Sequence, residues 1–260
     1  MSLTRSLEKA KDAYTKHDAR ASKVAHTQKS PEMHQHSGYY LKSAVYGGLD
    51  GTITTFAVVA GVAGAALSAN IVLILGFANL IGDGISMAIG DYLSTRAEQE
   101  YHRAERKRET WEFENYPLGE KKEMIEIYMQ KGYAKKDAEK IVEIMSKDKE
   151  AFIDVMMVEE LGIMQSAESP LKNALVTFGS FVLFGFIPVL AFVLALWAGI
   201  VMNIFLVAAI LTAATLFTLG AIKTKVTGKN FFYSGLEMLI VGGIAAGAAY
   251  GIGALIAGLV

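Results

Sequence analysis

The sequence predicts an all-α membrane protein, with five transmembrane helices plus a cytosolic three-helix domain inserted between the second and the third. Hydrophobic residues make up 52% of the chain, and 25 glycines allow helices to pack closely. Five apolar segments are each long enough to cross a hydrocarbon core of about 30 Å. A single long polar stretch, residues 94–172, separates the second segment from the third.

The apolar segments set the domain boundaries. They cover residues 44–67, 71–93, 174–197, 199–222 and 231–260. The first two are joined by a very short turn, so we expect them to form an antiparallel hairpin. The chain therefore divides into an N-terminal segment (1–42), transmembrane helices 1 and 2 (43–93), the polar domain (94–172) and transmembrane helices 3 to 5 (173–260).

Basic residues predict the orientation, because cytosolic loops carry an excess of Lys and Arg. Residues 1–42 carry eight of them, residues 94–172 carry fourteen and residues 223–229 carry three, which accounts for all 25. The loops on the opposite side have none. We therefore place the N-terminus and the polar domain in the cytosol and the C-terminus on the far side.

The N-terminal segment shows no targeting signal and only a weak candidate site. It lacks the short apolar core of a signal peptide. His34 and His36 offer imidazole ligands, but they lie between Pro31 and Gly38, where a plain linker is the stronger interpretation.

Three helices are predicted in the polar domain. The first continues the second transmembrane helix and stops before Pro117, because the residue before a proline avoids the helical region. The second covers residues 118–131, with Gly132 as its C-terminal stop. The third covers residues 135–161 and breaks near 146–149. We expect a domain this small to be mostly amphipathic surface, and a partner chain or a bound metal to help order it.

Ionisable groups within a membrane are costly, so each one indicates a role. Asp50 lies among glycines near the cytosolic start of the first helix. We favour a transport role for it over an interfacial helix cap or a hydrogen bond that holds two helices together. Asn79, Asp83 and Met87 are spaced i, i+4, i+8 on the second helix, which aligns an amide, a carboxylate and a thioether. Glu237, in the last helix, either relays protons or reaches back to the membrane interface.

These ligand types indicate the metal. Carboxylates suit hard divalent ions, while a thioether adds a preference for softer transition metals. The combination suggests Fe²⁺, with Mn²⁺, Co²⁺ or Zn²⁺ as competitors. A parallel stripe of small residues, Gly82, Ser86 and Gly90, is interpreted as a helix-contact face.

The polar domain is rich in glutamates at helical spacing. Solvated acidic surface is the usual meaning of such residues, but here basic residues are interleaved and two methionines lie beside a glutamate. We therefore interpret it as a metal-binding domain. The candidate metal ligands are Glu105, Glu109, Glu112, Glu120, Glu123, Met156, Met157 and Glu160.

At these residues the chain resembles the vacuolar iron transporter family, whose plant and yeast members move ferrous iron and manganese out of the cytosol. The resemblance covers residues 40–260 and rests on Asp50-Gly51, on residues 56–61, 86–94 and 234–237, and on the glutamate-rich domain with Met156-Met157. It implies five transmembrane helices per subunit, and a homodimer with the ion path near the subunit interface. Plant members carry glutamate where this chain has Asn79, which cannot exchange a proton. Proton antiport would then depend on another group, such as Asp83.

The leading hypothesis is a divalent metal transporter, not an enzyme, that exports Fe²⁺, and Mn²⁺ as a second ion, from the cytosol by proton antiport. The expected partners are metal ions, protons, lipid and a second copy, with no nucleic acid and no prosthetic group. The alternatives are a metal sensor without transport and a ferritin-like iron protein. The latter lacks its Glu-x-x-His motif, since Gln99 precedes His102 by three. The membrane is the plasma membrane if the chain is prokaryotic, which its compactness favours, or the vacuolar membrane if it is eukaryotic.

Overall fold

The computed structural model describes residues 7–27, 37–164, 168–198, 203–227 and 229–259, and within these ranges the only regular elements are helices. The chain separates into two compact units, residues 1–38 and 39–260. The helices are α1 (Leu7–Thr15), α2 (Ala19–Thr27), α3 (Ser37–Gly64), α4 (Ala69–Asn115), α5 (Pro117–Gln130), α6 (Lys135–Met145), α7 (Lys149–Glu159), α8 (Pro170–Ala198), α9 (Ile204–Thr227) and α10 (Phe231–Ala257).

The N-terminal unit is a short helical hairpin formed by α1 and α2. Asp18 begins α2, because its Oδ1 accepts hydrogen bonds from the backbone N–H groups of Arg20 at 2.9 Å and Ala21 at 3.0 Å. His34 and His36, the weak metal candidates, lie outside the described residues.

Five helices, α3, α4, α8, α9 and α10, are long and apolar enough to cross a membrane, as the sequence predicted. Several of their boundaries differ from the prediction by a few residues. Helix α3 begins at Ser37, and α9 continues to Thr227, so much of the predicted loop at residues 223–229 is helical. The lysines there are good helix formers, and the helix continues past its apolar part.

Helix α4 is the longest element and joins the apolar and polar parts of the chain. Its 47 residues span about 70 Å, more than twice a hydrocarbon core of about 30 Å. Residues 91–115 contain neither glycine nor proline, and the helix ends at Asn115, just before Pro117. The predicted continuation is confirmed. The first half of α4 is apolar and long enough for a span, and the helix also packs against α5 and α7.

The polar domain has a core of its own, which the sequence-based expectation of an amphipathic surface underestimated. Met124, Val142, Phe152 and Met156 form a buried cluster, and the ring of Phe113 lies 4.9 Å from that of Phe152. The other helices also follow the prediction, since α5 ends before Gly132, whose φ is 97°, and α6 and α7 are separated at residues 146–148. Ion pairs from Arg106, Lys131 and Lys149 then tie α7 to α4 and α5.

Glycines bring α3 against α8 next to Asp50. A Cβ on Gly51 would meet the backbone carbonyl of Phe181, and a Cβ on Gly185 would meet the carbonyl of Gly51. The two backbones are therefore in direct contact, which fixes the helix that carries Asp50.

We expect Gly51→Ala to lower the melting temperature of the detergent-solubilised protein by roughly 5 °C, because overpacking costs about 1–3 kcal/mol in a chain of this size. Differential scanning fluorimetry would measure it. Gly179→Ala is the matched control, since no atom lies within 4 Å of its added Cβ. Equal melting temperatures for the two variants would mean that the α3–α8 contact is not tight.

Candidate metal centre

Three glutamates converge where α5 folds back on α4. Glu109 and Glu112 lie on the second half of α4, and Glu120 lies in the first turn of α5, just after the turn at Tyr116. Each offers one carboxylate oxygen, and these oxygens lie within 4.8 Å of one another. We call these three residues the carboxylate cluster. Two of its side chains are almost fully buried, since Glu109 is 1% exposed and Glu120 is 7% exposed.

Among the residues that the structure describes, three buried carboxylate oxygens accept no hydrogen bond. Both side-chain oxygens of Glu109 and Oε2 of Glu160 are buried without a hydrogen bond. Arg108 Nη2 lies 2.8 Å from Glu109 Oε1, close enough for an ion pair but not in hydrogen-bond geometry. Buried polar atoms are rarely left unsatisfied, so these oxygens fit a cation as their missing partner.

Burial raises the pKa values of the same carboxyl groups. The pKa of Glu109 rises to about 7, through burial first and then through the neighbouring Glu160, while Arg108 opposes the rise. The pKa of Glu120 also rises to about 7, through burial and the charges of Glu112 and Glu123. Burial likewise raises the pKa of Glu160. Near neutral pH these carboxyl groups are therefore partly protonated, and a metal ion that binds them would displace the protons.

Of the other predicted glutamate ligands, two lie beside this cluster and one does not. Glu160, which caps the end of α7, and the exposed Glu123 are close enough to raise the pKa values of cluster members. Glu105 is not among the mutually close carboxylates and instead pairs with Arg108 at 2.9 Å. Its role as a direct ligand stays a prediction.

Met156 and Met157 lie in apolar surroundings. Met156 belongs to the buried cluster with Phe152, and Met157 packs with Ile153 and Ile163. Both are nearly fully buried, so packing alone accounts for them. Their thioethers stay predicted ligands, and the three clustered side chains are all oxygen donors, which suit hard ions such as Mn²⁺.

In the membrane-spanning part, α3 and α4 bring their predicted residues together. The carboxylates of Asp50 and Asp83 are close enough to interact electrostatically. Asn79 Nδ2 lies 3.3 Å from Thr54 Oγ1 and 3.2 Å from Thr55 Oγ1, so it donates across the helix pair. The amide of Asn79 therefore links the two helices.

A cavity of about 700 Å³ lies at the polar end of this helix pair. Met87 and Asp91 line it, and they continue the i+4 series of Asn79 and Asp83 along α4. Asp91 Oδ2 accepts a hydrogen bond from Thr177 at 2.5 Å. We call this cavity of about 700 Å³ the entry cavity. Its other polar or sulfur-bearing lining residues are Lys42, Ser43, Tyr46, Ser94, Thr95, Glu98, Met164, Glu168 and Asn173.

Sequence reasoning missed most of the entry cavity. Asn173 is 3% exposed, its Oδ1 has no hydrogen-bond partner, and its Nδ2 donates to Glu168 at 2.7 Å. A buried asparagine at the start of an apolar helix was the available signal. Met164 and Glu168 carried no sequence signal for this cavity, because they lie far from α4 in the sequence.

The structure also describes the surroundings of Glu237 and of the predicted small-residue face of α4. Glu237 is exposed and pairs with Lys223 on α9 at 3.2 Å, which resembles the interfacial alternative more than a proton relay. Gly82, Ser86 and Gly90 are also exposed, and no atom lies within 4 Å of a Cβ built on either glycine. The expected contact of this small-residue face is therefore not made within the described part of one chain.

Comparison with known proteins identifies the family. The model of the VIT family matches residues 41–254. The chain belongs to the VIT family. A vacuolar iron transporter of Toxoplasma gondii is 43% identical over 97% of this chain and 89% of its own length. One of Plasmodium falciparum is 40% identical over 91% of each chain. Vacuolar iron transporter 1 of Arabidopsis thaliana is 33% identical over 84% of this chain and 87% of its own. These VIT family relatives are named as transporters, so the chain belongs with transporters and not with enzymes.

Proposed function

We propose that this protein moves Fe²⁺, with Mn²⁺ as a second substrate, out of the cytosol across its membrane in exchange for protons. The observation that carries the proposal is the carboxylate cluster, in which the buried oxygens of Glu109 accept no hydrogen bond, on a helix whose first half is apolar enough to cross a membrane. The names of the VIT family relatives support iron as the substrate.

The proposed route follows α4. Ions are collected by the carboxylate cluster, with Glu160 and Glu123 beside it, and enter the cavity lined by Met87 and Asp91. They then reach Asp50 and Asp83, which interact between α3 and α4. Carboxylates on this path replace the water that a divalent ion loses on entering a membrane.

The proposed orientation places the polar domain in the cytosol, because it carries fourteen of the basic residues. The relatives are all named vacuolar transporters, which favours a vacuolar membrane over a plasma membrane. Acidity on the far side would then assist release, because a carboxylate that gains a proton loses its metal.

Proton exchange is proposed to use Asp83 or Asp50, since Asn79 does not titrate and its amide is held by threonines of α3. Asp50 on α3 and Asp83 on α4 support this assignment, because each carries a carboxylate that can exchange a proton, on two helices that Asn79 links.

A homodimer is proposed to form through α4, because the face with Gly82 and Gly90 is open and small residues allow close approach. The chain has no cysteine, so Ser86→Cys should form a disulfide-linked dimer on mild oxidation in membranes, seen on a non-reducing gel. Ile81→Cys, exposed on another face of α4, is the control. Equal cross-linking of both variants would show that this face is not the interface.

The principal alternative is a metal sensor that binds ions in the polar domain without moving them. Asp50 and Asp83 argue against it, because a sensor needs no carboxylates inside the membrane. The ferritin-like alternative has no support in the described residues, where the clustered carboxylates are not joined by a histidine.

The experiment that tests the proposal is Fe²⁺ uptake into sealed proteoliposomes that contain a pH-sensitive dye, under anaerobic conditions. We expect Fe²⁺ to enter and the lumen to become more alkaline as protons leave. Fe²⁺ entry without a pH change would leave an uncoupled transporter, and no entry above protein-free vesicles would favour the sensor.

A further inference from the structure

Arg108 already places a positive charge on the proposed metal centre. Its Nη1 lies 2.9 Å from Glu112 Oε2, and its Nη2 lies 2.8 Å from Glu109 Oε1. The same guanidinium contacts Glu105 Oε2 twice, through Nη2 at 2.9 Å and through Nε at 3.1 Å. One side chain therefore bridges two carboxylates of the cluster and a third just outside it.

The contacts divide into a fixed and a movable part. Glu109 is 1% exposed and lies on the continuous helix α4. The side chain of Arg108 is 44% exposed, so its guanidinium has a direct path to water. Glu109 is therefore the buried side of this contact, and Arg108 is the side that water can reach.

We propose that Arg108 is a resident cation of the carboxylate cluster, which an incoming divalent metal ion displaces toward Glu105. This inference rests on the proposed function of the carboxylate cluster. A metal ion and the guanidinium require the same carboxylates of Glu109 and Glu112, and like charges exclude one another there. Glu105 keeps Arg108 nearby, because two of the contacts reach it and it lies outside the cluster.

The exchange has two consequences for transport. Before a metal ion binds, the carboxylates of the cluster stay close without strong mutual repulsion, because the guanidinium of Arg108 offsets their charge. The metal ion is held less tightly than by free carboxylates, so the return of Arg108 favours its release toward the entry cavity. Arg108 thus sets the affinity of the centre and is not itself a ligand.

The test measures Mn²⁺ binding to the full chain in detergent at pH 8, from the electron paramagnetic resonance signal of free Mn²⁺. At this pH, competition by protons is small for the wild type. We expect Arg108→Met to bind Mn²⁺ about tenfold more tightly, the scale of one charge-assisted hydrogen bond. Arg106→Met is the matched control, because Arg106 pairs with Glu150 and Asp154 on α7 and not with the cluster. Its affinity should equal that of the wild type.

Chemical rescue separates displacement from a structural role. In Arg108→Ala, millimolar guanidinium should lower the Mn²⁺ affinity back toward the wild-type value, because it competes at the vacated position. It should have no such effect on the wild type. If Arg108→Met does not fold, Arg108→Lys is the second variant, in which a single ammonium replaces the forked guanidinium. We expect Arg108→Lys to bind Mn²⁺ about threefold more tightly than the wild type.

Failure of the resident-cation proposal can be distinguished from failure of the metal centre. Unchanged or weaker binding in folded Arg108→Met or Arg108→Lys, with normal binding in the wild type, would overturn the resident-cation proposal and leave the metal centre intact. Wild-type binding no stronger than that of the double variant Glu109→Gln, Glu112→Gln would refute the metal centre itself, and the resident cation with it.

Discussion

Replacing Asp50 with asparagine is expected to reduce Fe²⁺ uptake into proteoliposomes at least tenfold. The amide keeps the size of the side chain but removes a negative charge that offsets a divalent ion away from bulk water, where such compensation is worth several kcal/mol. Asp50 lies in α3 beside the tight contact with α8 and interacts with Asp83. Initial rates of uptake at equal protein density would measure the effect.

Two internal controls accompany this variant. Mn²⁺ binding by the polar domain of Asp50→Asn should match the wild type, because the carboxylate cluster lies on the second half of α4 and on α5, away from Asp50 on α3. The melting temperature should be similar. Asp83→Asn should retain more uptake than Asp50→Asn if Asp83 serves mainly as a proton acceptor. Normal uptake by Asp50→Asn would exclude it from the ion path.

The second large effect concerns pH. Metal binding by the carboxylate cluster is expected to weaken about 100-fold between pH 8 and pH 6, because Glu109 and Glu120 both have pKa values of about 7 and both must lose a proton to bind a metal. Titrations of the full chain with Mn²⁺ across this range would give the slope. Glu120→Gln, measured in parallel, should bind more weakly and lose about half of the pH dependence.

The stability of the metal-free protein should change with pH in the opposite sense. Each of the two carboxyl groups has a pKa above the usual value of 4.5, so the folded state binds more protons than the unfolded state between these values. Stability therefore falls as pH rises from about 4.5 through 7. Added Mn²⁺ should raise the melting temperature more at pH 8 than at pH 6. A Mn²⁺ affinity that varied less than about threefold over this range would show that these carboxyl groups do not titrate with the metal.

Local features of the sequence were sufficient for the helices. Segment length identifies five spans, because a hydrocarbon core requires about 20 apolar residues whatever the fold. The absence of glycine and proline from residues 91–115, followed by Pro117, predicts one helix that leaves the membrane and ends there. These constraints act within a few turns of backbone, so they do not depend on tertiary contacts.

Spacing along α4 predicted that Glu105, Glu109 and Glu112 share a helical face, but not which of them share a site. That choice depends on where α5 returns, which places Glu120 beside Glu109 and Glu112 and leaves Glu105 to Arg108. Likewise, Met156 and Met157 lie in apolar clusters and Glu237 meets Lys223.

The sequence by itself determined the class of the protein, its five spans and the residue types that suit a metal ion. Only the tertiary structure decided which carboxylates converge, which are buried without partners and which arginine offsets their charge. The physical reason is the distance along the chain over which each constraint acts. Hydrophobic length and helix termination are set by neighbouring residues, whereas burial and electrostatic pairing are set by groups that are far apart in the chain and meet only after folding.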